Sequence, residues 1–324
     1  YGTGDIYKGG IRMMVVVDNI TKRFNGTLAV DRLCMEIPEG EIYGFVGANG
    51  AGKTTTMRII AGLLAPTSGR VFIKGIDIAK EPLKVKEFIG YMPDFFGVYD
   101  DLKVSEYMAF YAGLQGIYGE KCRKLTDSLL ELVRLTDKKE AYVDTLFRGM
   151  KQRLCLARSL IHDPEFLILD EPASGLDPRA RVEMKEILKE LRSMGKTVLI
   201  SSHILPELSE LCTSIGIIDS GRLVASGSVR EIAEKLSQTG LVKIRVADSE
   251  EEAVRILMEM PEVGEISSVA GVLEIRVSGR EETYVKILKT LVGNDVPVVS
   301  FHPEESSLEA VFMKLTERSN ENEN

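Results

Sequence analysis

The sequence contains no run of apolar residues long enough to cross a membrane. A transmembrane helix needs about 18 or more consecutive apolar residues, and none of the hydrophobic stretches reaches that length. The longest of them are typical of buried strands. If the protein serves a membrane, we expect it to act from outside the bilayer, through a partner.

An excess of basic residues is also absent. The chain has 41 Lys and Arg against 49 Asp and Glu, which gives a formal net charge of -8. Proteins that bind nucleic acids usually present a broad basic surface. We therefore expect no nucleic-acid partner.

Cysteine is scarce and has no metal-binding spacing. The four cysteines lie far apart at positions 34, 122, 155 and 212, and no two of them form a CxxC pair. This pattern argues against a zinc site and against a disulfide framework. We interpret all four as small buried hydrophobic residues in a reducing cytosol.

The length and the composition indicate a globular protein with two domains. The chain has 324 residues, of which 44% are hydrophobic and 28% charged, which is enough to build a sizeable core. Residues 1–12 precede Met13 and Met14 without starting in methionine. We expect them to be a vector-derived or flexible leader, with Met13 or Met14 as the native start.

The order of predicted elements gives the domain boundaries. Alternating strand and helix signals over residues 13–236 predict an α/β domain, and a helix-rich stretch over about 95–160 interrupts them as a helical subdomain. After a polar linker, residues 241–318 predict a small α+β domain in the order β-α-β-β-α-β, which is the ferredoxin-like arrangement. Its last helix is expected to bury Leu308, Val311, Phe312 and Leu315, and a flexible tail follows at 319–324.

The segment GANGAGKTT at 47–55 is the strongest functional signal. It satisfies the G-x-x-x-x-G-K-[ST] pattern, directly after an apolar strand and directly before a helix. Glycines at 47, 50 and 52 let the backbone N–H groups surround phosphate oxygens. Lys53 is expected to reach the β- and γ-phosphates of a nucleotide, and the Thr54 hydroxyl to bind Mg²⁺. The alternative is an ordinary Gly-rich turn.

Two acids follow a second apolar strand, FLILDEP at 166–172. Asp170 would stand at the carboxyl end of the strand, where open α/β sheets bind ligands, and would hold Mg²⁺. Glu171 would orient and activate the attacking water. The alternative is a strand that ends in acids because it reaches the surface there.

A turn and a third strand continue this pattern. SGLDPRAR at 174–181 places Asp177 and Pro178 at the start of a long helix, which Asp177 would cap. The strand TVLISSH at 197–203 ends in His203, near the expected γ-phosphate. A purely structural histidine is the alternative interpretation.

Together these segments resemble the ATP-binding cassette (ABC) family over about residues 15–235. GANGAGKTT resembles the Walker A motif, FLILDE the Walker B motif, SGLD at 174–177 the D-loop, and His203 the switch histidine. Phe24 falls where the family has an aromatic that stacks on adenine, although a core phenylalanine is an equally good interpretation. The fold implied is a P-loop NTPase of ABC type with a mixed sheet and a helical insertion.

The resemblance also implies a set of ligand-binding residues. The catalytic residues would be Lys53, Glu171 and His203. Magnesium would be held by Thr54, Asp94 and Asp170. ATP would contact Phe24, Asn49, Gly50, Ala51, Gly52, Lys53, Thr54, Thr55 and Asp177, and it would contact the signature residues Phe147, Gly149 and Met150 of the other chain of a dimer.

Two of these positions depart from the family pattern. TLFRGMKQRL at 145–154 resembles the signature segment, but Phe147 stands where the family has the serine that bonds the γ-phosphate, and Phe147 cannot donate a hydrogen bond. Gly149 and the following helix N-terminus remain as donors. Asp94 stands where the family has a magnesium-contacting glutamine, and its shorter, charged side chain alters the expected contact.

The motifs YMPD, RGMKQRL, SSHIL and SLEAVFMKLT resemble those of ATPase subunits that serve ABC-2-type permeases, which are often exporters. Such a subunit would hydrolyse ATP as a homodimer, or as a heterodimer with another ABC ATPase, on the cytoplasmic face of the membrane. Phe95, Phe96, Tyr99 and Tyr107 are candidates for permease contact, unless they pack inside the helical subdomain.

Two other functions stay open at this point. The chain could be an ATP-binding regulatory cassette that, with its degenerate signature, needs a second ATPase subunit for hydrolysis. It could also be an ABC ATPase that acts on DNA or ribosomes. The single P-loop and the lack of sustained heptads argue against the second of these.

Overall fold

Strands and helices alternate through most of the chain, as its hydrophobic pattern predicts. The computed structural model describes residues 6–95, 97, 101–204, 208–236, 239–269, 271–278 and 281–304. The chain divides into two compact units, with the boundary between Ser226 and Gly227. The division falls before the helix at 229–236, which the sequence interpretation had assigned to the first domain.

An antiparallel sheet of five strands begins the first unit. Its strands are β1 (Tyr7–Lys8), β2 (Ile11–Phe24), β3 (Thr27–Pro38), β5 (Ser68–Ile73) and β6 (Ile76–Asp77). Strand β2 lies at its centre and pairs with β1, β3 and β5. Because β1 and the start of β2 lie within residues 1–12, this part of the expected leader is ordered strand rather than flexible chain.

A second sheet of six strands carries the segments with functional motifs. Its strands are β4 (Ile42–Val46), β7 (Ile89–Met92), β8 (Phe166–Leu169), β9 (Thr197–Ser202), β10 (Ser214–Asp219) and β11 (Arg222–Ser228), in the order β11-β10-β4-β9-β8-β7. The strands from β10 to β7 in that order are all parallel. Strands β4, β8 and β9 are buried at every residue, which is typical of a parallel sheet covered on both faces.

Helices surround this sheet and form the helical subdomain. The helices of the first unit are α1 (Lys53–Ile60), α2 (Pro82–Lys86), α3 (Val104–Leu114), α4 (Gly119–Leu132), α5 (Arg148–Ser159) and α6 (Pro178–Ser193), with short 3-10 turns at Thr136–Lys138 and Val143–Thr145. The main core packs one face of β4 (Tyr43 and Phe45) and one face of β8 (Phe166 and Ile168) against α1 and the first sheet. In the described part of the chain, no helix is long and apolar enough to cross a membrane.

The second unit has its own sheet and its own core. It contains α7 (Val229–Leu236), β12 (Thr239–Val246), α8 (Glu250–Met258), β13 (Val263–Val269), β14 (Val272–Ser278), α9 (Glu281–Gly293) and β15 (Val298–Glu304). The four strands are antiparallel in the order β13-β14-β12-β15, and alternate residues of β12 and β14 pack under α8 and α9. The ferredoxin-like classification stays a prediction, which this strand order supports. The expected last helix and the tail lie outside the described residues.

The structure corrects one sequence interpretation about burial and decides another. Cys122, Cys155 and Cys212 are buried, but Cys34 is exposed because it lies on the outward face of β3. Of the two interpretations of Tyr107, packing inside the helical subdomain is the one confirmed, because Tyr107 is fully buried between α3 and α5 and accepts a hydrogen bond from Arg158 at 3.1 Å. Phe95, by contrast, is 89% exposed. Phe96 and Tyr99 lie outside the described residues.

Candidate functional site

The carboxyl ends of four parallel strands bring the predicted site residues to one edge of the second sheet. Strand β4 leads into the Gly-rich loop, β8 into Asp170 and Glu171, β9 into His203, and β7 towards Asp94. The ladder between β7 and β8 continues one residue further, because the Asp170 amide donates to the Met92 carbonyl at 2.9 Å. Ligands of open α/β sheets bind at such an edge.

The Gly-rich loop ends in a conformation that requires glycine. Gly52 caps α1 with φ of 106°, and a Cβ atom there would come within 2.6 Å of the Ala29 carbonyl oxygen. The loop therefore packs against β3 with no space for a side chain. The N-terminus of α1 has no side-chain cap and no acid in its first turn, so its N–H groups and its dipole are available to an anion.

Lys53 is buried in this loop, and carbonyl groups of the loop accept hydrogen bonds from its ammonium group. Its Nζ donates to the carbonyls of Gly47 at 2.6 Å and Ala48 at 3.1 Å, and lies 3.5 Å from Oε1 of Glu171. A buried ammonium needs such partners. The lysine thus holds the loop and the second acid together at the point where phosphate is expected.

The two acids after β8 are held by a residue that the sequence reasoning missed. Ser201, at the end of β9, donates through Oγ to Asp170 Oδ1 at 2.7 Å and accepts from the Glu171 amide at 2.9 Å. Glu171 adopts φ of 50°, and its Oε2 lies 2.9 Å from Nδ1 of His203. The adjacent serines at the carboxyl end of β9 were the signal in the sequence. Their position at the ligand-binding edge could have suggested this role.

Many of the predicted site residues line one open cavity of about 310 Å³. The predicted residues on its wall are Asn49, Gly50, Gly52, Lys53, Thr54, Thr55, Asp94, Glu171 and His203. Ala29 and Ser174 also line it and were not predicted. The cavity therefore brings the phosphate loop, the second acid and the histidine together.

The remaining predicted residues lie elsewhere. Ala51 and Asp170 are buried beside the cavity rather than on its wall. Phe24, at the end of β2, is 44% exposed, with the Lys22 ammonium 5.1 Å from its ring centre. Its exposure excludes the core interpretation, but Phe24 does not line the cavity.

The donors for a metal are oxygen atoms. Asp170 is buried and its Oδ2 atom has no hydrogen-bond partner among the described residues, which is the state expected of a carboxylate oxygen reserved for a ligand. Burial raises the pKa of the nearby Tyr91 phenol, and the charges of Asp170 and Asp94 act in the same direction. Thr54 and Asp94 both line the cavity.

No group of three or more His, Cys, Asp or Glu residues in the described part of the chain forms a complete metal cage. Magnesium does not need one, because it is usually held by one or two carboxylates together with substrate phosphates and water. The carboxylates of Asp170 and Asp94 and the hydroxyl of Thr54 fit that preference.

The predicted signature residues start helix α5, away from the cavity. Phe147 occupies the N-cap position, is 77% exposed and makes no capping hydrogen bond. Gly149 lies against the start of α6, since a Cβ atom there would be 3.0 Å from that of Ala180. Asp177 caps α6, as predicted, by accepting from the Ala180 amide at 3.0 Å. Met150 is half-buried in the first turn of α5.

Profiles of two families match the sequence. The profile described as "ABC transporter" matches residues 30–174. The profile described as "ATP-binding protein DrrA1-3-like, C-terminal domain" matches residues 227–316. The two matches fall in the first and the second unit of the structure respectively.

Two bacterial proteins are similar to almost the whole chain. The linearmycin resistance ATP-binding protein LnrL of Bacillus subtilis (strain 168) is 31% identical over 309 residues, which cover 94% of this chain and 99% of that protein. The daunorubicin/doxorubicin resistance ATP-binding protein DrrA of Streptomyces peucetius is 34% identical over 303 residues, which cover 93% of this chain and 92% of that protein.

Solved structures share the fold of the first unit. The ATP-binding cassette MJ0796, in a dimeric post-hydrolysis state bound to ADP and Pi, has a TM-score of 0.62 at 26% identity, over 67% of this chain and 99% of that one. An ATP-binding subunit of an ABC transporter has a TM-score of 0.62 at 27% identity, over 69% of this chain and 93% of that one.

Proposed function

Because this chain belongs to the ABC transporter family of ATP-binding proteins, we propose that it powers an ABC-2-type permease, as an exporter, through closure of a dimer around two ATP molecules. The observation that carries this proposal is the cavity of about 310 Å³, in which the phosphate loop, Glu171 and His203 share one wall.

The family membership confirms the resemblance that the motifs suggested. The chain is an ATPase subunit, and nucleotide binding and ATP hydrolysis are the activities of its family. The alternative of a regulatory cassette that needs a second ATPase is not favoured by the relatives, which are named as ATP-binding proteins of resistance or export.

The phosphate loop and Lys53 would bind and neutralise the transferred phosphoryl group. In phosphoryl transfer the protein mainly positions the reactants and stabilises charge. The N–H groups at the start of α1 and the Lys53 ammonium are the positive groups on the cavity wall that suit this role. Phe24 would stack on the adenine.

Glu171 would orient the attacking water and accept its proton. Its backbone is fixed by the bond to Ser201 and its carboxylate by His203 and Lys53, so the side chain is already positioned before a substrate arrives. His203, whose Nδ1 contacts Glu171, would use its other face for the γ-phosphate.

Thr54, Asp94 and Asp170 would hold magnesium. When bound, the ion supplies charge neutralisation for the phosphates. The buried Oδ2 of Asp170, which has no hydrogen-bond partner among the described residues, supports this assignment for Asp170. Asp94 replaces a neutral amide of the family pattern with a carboxylate, which adds a second negative charge beside the cavity.

The second half of each ATP site would come from the partner chain. The dimer of the similar cassette MJ0796 supports this arrangement, in which the N-terminus of α5 with Gly149, Phe147 and Met150, and Asp177 of the neighbouring turn, would face the nucleotide of the other chain. Without the serine hydroxyl, backbone N–H groups and the helix dipole of α5 would bind the phosphate.

The membrane partner is proposed from the relatives. LnrL and DrrA are named for resistance to linearmycin and to daunorubicin or doxorubicin. The Nod factor export ATP-binding protein I of Burkholderia orbicola (strain AU 1054) is named for export. It is 37% identical over 237 residues, which cover 73% of this chain and 77% of that protein. These names support export through a permease, with this subunit on the cytoplasmic face. Phe95, which is more exposed than Tyr107, the other candidate aromatic that the structure describes, would be a contact residue.

Steady-state ATP hydrolysis by the purified chain with Mg²⁺ tests the proposal. Glu171→Gln keeps the size of the side chain but removes the base, so we expect turnover to fall by at least about 100-fold while binding of a fluorescent ATP analogue is retained. Glu165→Gln is the matched control, because Glu165 precedes the opposite end of the same strand β8 and pairs with Lys74.

Full turnover in Glu171→Gln at saturating ATP would refute the assignment of the base. Phe147→Ser distinguishes a working ATPase from a regulatory cassette that needs a second ATPase subunit. Wild-type turnover that this change raises or leaves unchanged supports a working homodimer. Activity that appears only in Phe147→Ser would instead indicate a degenerate site.

A further inference from the structure

The D-loop (residues 174–177) and helix α5 of the same chain are joined by a buried amide. We propose that Gln152 couples the two ATP sites of the dimer, by transmitting the state of each chain's own nucleotide cavity to its own signature helix, α5. This inference rests on the proposed function and identifies a positioning residue that the motifs did not indicate.

Gln152 lies in the second turn of α5 and is only 1% exposed. Its Nε2 donates to the Ser174 carbonyl at 3.1 Å. Ser174 also lines the nucleotide cavity. A single hydrogen bond therefore connects the wall of one chain's ATP cavity to the helix whose N-terminus would contact the ATP of the other chain.

Close packing makes the start of α5 follow the D-loop. Gly175 has φ of 68°, and a Cβ atom there would come within 2.7 Å of the Arg148 guanidinium carbon. On the other side, a Cβ atom on Gly149 would be 3.2 Å from Leu176. Packing without gaps transmits displacement, so a shift of the D-loop moves the first turn of α5 with it.

The segment that leads into the D-loop borders two cavities. Glu171 and Ser174 line both the ATP cavity and a second, more enclosed cavity of about 20 Å³, whose other wall includes Met184, Leu188 and Leu208. The segment 171–174 therefore separates two spaces, and it starts from the left-handed backbone of Glu171. Its position depends on what fills the ATP cavity.

The amide of Gln152 is not fully satisfied in this arrangement. Its Oε1 is buried without a hydrogen-bond partner among the described residues. A buried, unpaired acceptor is destabilising and rare in native proteins. We interpret it as the mark of a contact with a second arrangement, in which the amide gains a donor when the D-loop shifts.

The coupling is reciprocal. If nucleotide in one cavity changes the position of α5, then a phosphate bound at α5 changes the affinity of that chain's own cavity by the same factor. Two ATP molecules in a dimer would then bind cooperatively. Loss of the Gln152 contact would make the two sites independent without removing any group that touches ATP.

Two measurements on the full chain test this inference. Gln152→Met has similar length but no polar atoms, and Gln152→Asn keeps the amide but is one methylene shorter, so it cannot reach Ser174. Ser159→Ala is the matched control, because Ser159 is a buried polar residue of the same helix, and its one hydroxyl bond among the described residues stays within the helix, to the Leu156 carbonyl at 2.7 Å.

The first measurement is the ATP dependence of steady-state hydrolysis. We expect a Hill coefficient above about 1.5 for the wild type and for Ser159→Ala, and close to 1 for both Gln152 variants, with saturating turnover changed less than about threefold. A non-cooperative wild type, or cooperative Gln152 variants, would overturn the proposal.

The second measurement does not depend on hydrolysis. Hydrogen exchange of the amides of residues 147–153 is followed with and without ADP and Mg²⁺, at a protein concentration where light scattering shows a monomer. In the wild type and in Ser159→Ala, nucleotide is expected to change these rates at least twofold, and in the Gln152 variants not at all. If the exchange rates respond to nucleotide but the chain hydrolyses no ATP, the proposed function is refuted and the coupling is not. Equal responses in all variants would refute the coupling alone.

Discussion

The hydroxyl of Ser201 holds both acids of the site, although no sequence motif indicates this role. It donates to Asp170 at 2.7 Å and accepts from the Glu171 amide at 2.9 Å, in a fully buried position. Ser201→Ala removes both bonds and leaves a buried carboxylate and a buried N–H group without this partner. We expect it to reduce both stability and turnover.

The size of the effect follows from the two bonds. A hydrogen bond to a charged group contributes about 1.5–3 kcal/mol and a neutral one about 0.5–1.5 kcal/mol, so Ser201→Ala should cost about 2–4 kcal/mol. In a unit of this size that corresponds to a fall in Tm of roughly 5–15 °C. Since Glu171 loses its backbone anchor, turnover should also fall by about 10- to 100-fold.

Stability is best followed by urea denaturation with far-UV circular dichroism, because the chain has no tryptophan. Ser202→Ala is the control. Among the described residues, the Ser202 hydroxyl, one residue further on, bonds only to the Ile204 amide, at 3.0 Å, so this change should cost no more than about 1.5 kcal/mol. In the Asp170→Asn background, Ser201→Ala should cost about 1–2 kcal/mol less, because the serine then donates to a neutral amide.

Equal costs for Ser201→Ala and Ser202→Ala would refute the reasoning. So would a cost for Ser201→Ala that is the same in the Asp170→Asn background, because the bond to the charged carboxylate would then contribute nothing. A stability loss without any loss of turnover would retain the structural role and refute the positioning of Glu171.

Three further changes test other parts of the chain. Gly52→Ala should weaken binding of a fluorescent ATP analogue at least about tenfold more than Gly50→Ala, because only Gly52 lacks room for a Cβ atom; similar losses would contradict this. Phe147→Ser should raise the urea midpoint of unfolding. A serine at the N-cap of α5 would stabilise the helix by about 0.5–2 kcal/mol, and little buried area is lost because the Phe147 side chain is 77% exposed. A lower midpoint would count against this prediction. The hydrogen bond from Arg222 lowers the pKa of Asp31 below its ordinary 3.8, so this carboxylate stabilises the fold above that pH and the contribution is lost as pH falls through the lowered value. Asp31→Asn should therefore flatten the stability curve below about pH 4, and an unchanged curve would refute the assignment.

The sequence predicts the site well where chemistry depends on contiguous residues. Residues 47–55 contain the loop, the lysine and the start of α1, so their pattern determines the geometry that the structure shows. The two acids after β8 could also be predicted, because parallel strands present their carboxyl ends at one edge.

Contacts between distant segments could not be predicted in the same way. Ser201 is 31 positions from Asp170, and Gln152 is 22 from Ser174, so only the folded sheet and the packing of α5 bring them together. The sequence left two interpretations of Tyr107 open for a similar reason. An aromatic on an amphipathic helix has the same pattern whether it faces a partner or a neighbouring helix of its own chain.

The contacts of Lys53 suggest why hydrolysis would wait for nucleotide. The lysine is held by the loop carbonyls at 2.6 and 3.1 Å and by Glu171 at 3.5 Å, so its charge is compensated before a phosphate arrives. On the proposed function, the γ-phosphate would draw the ammonium away from the carboxylate, because it carries the larger negative charge. Glu171 would then keep only His203 as its partner and become a stronger base for water. Binding of the substrate would therefore also activate Glu171, the base that prepares water to attack the γ-phosphate.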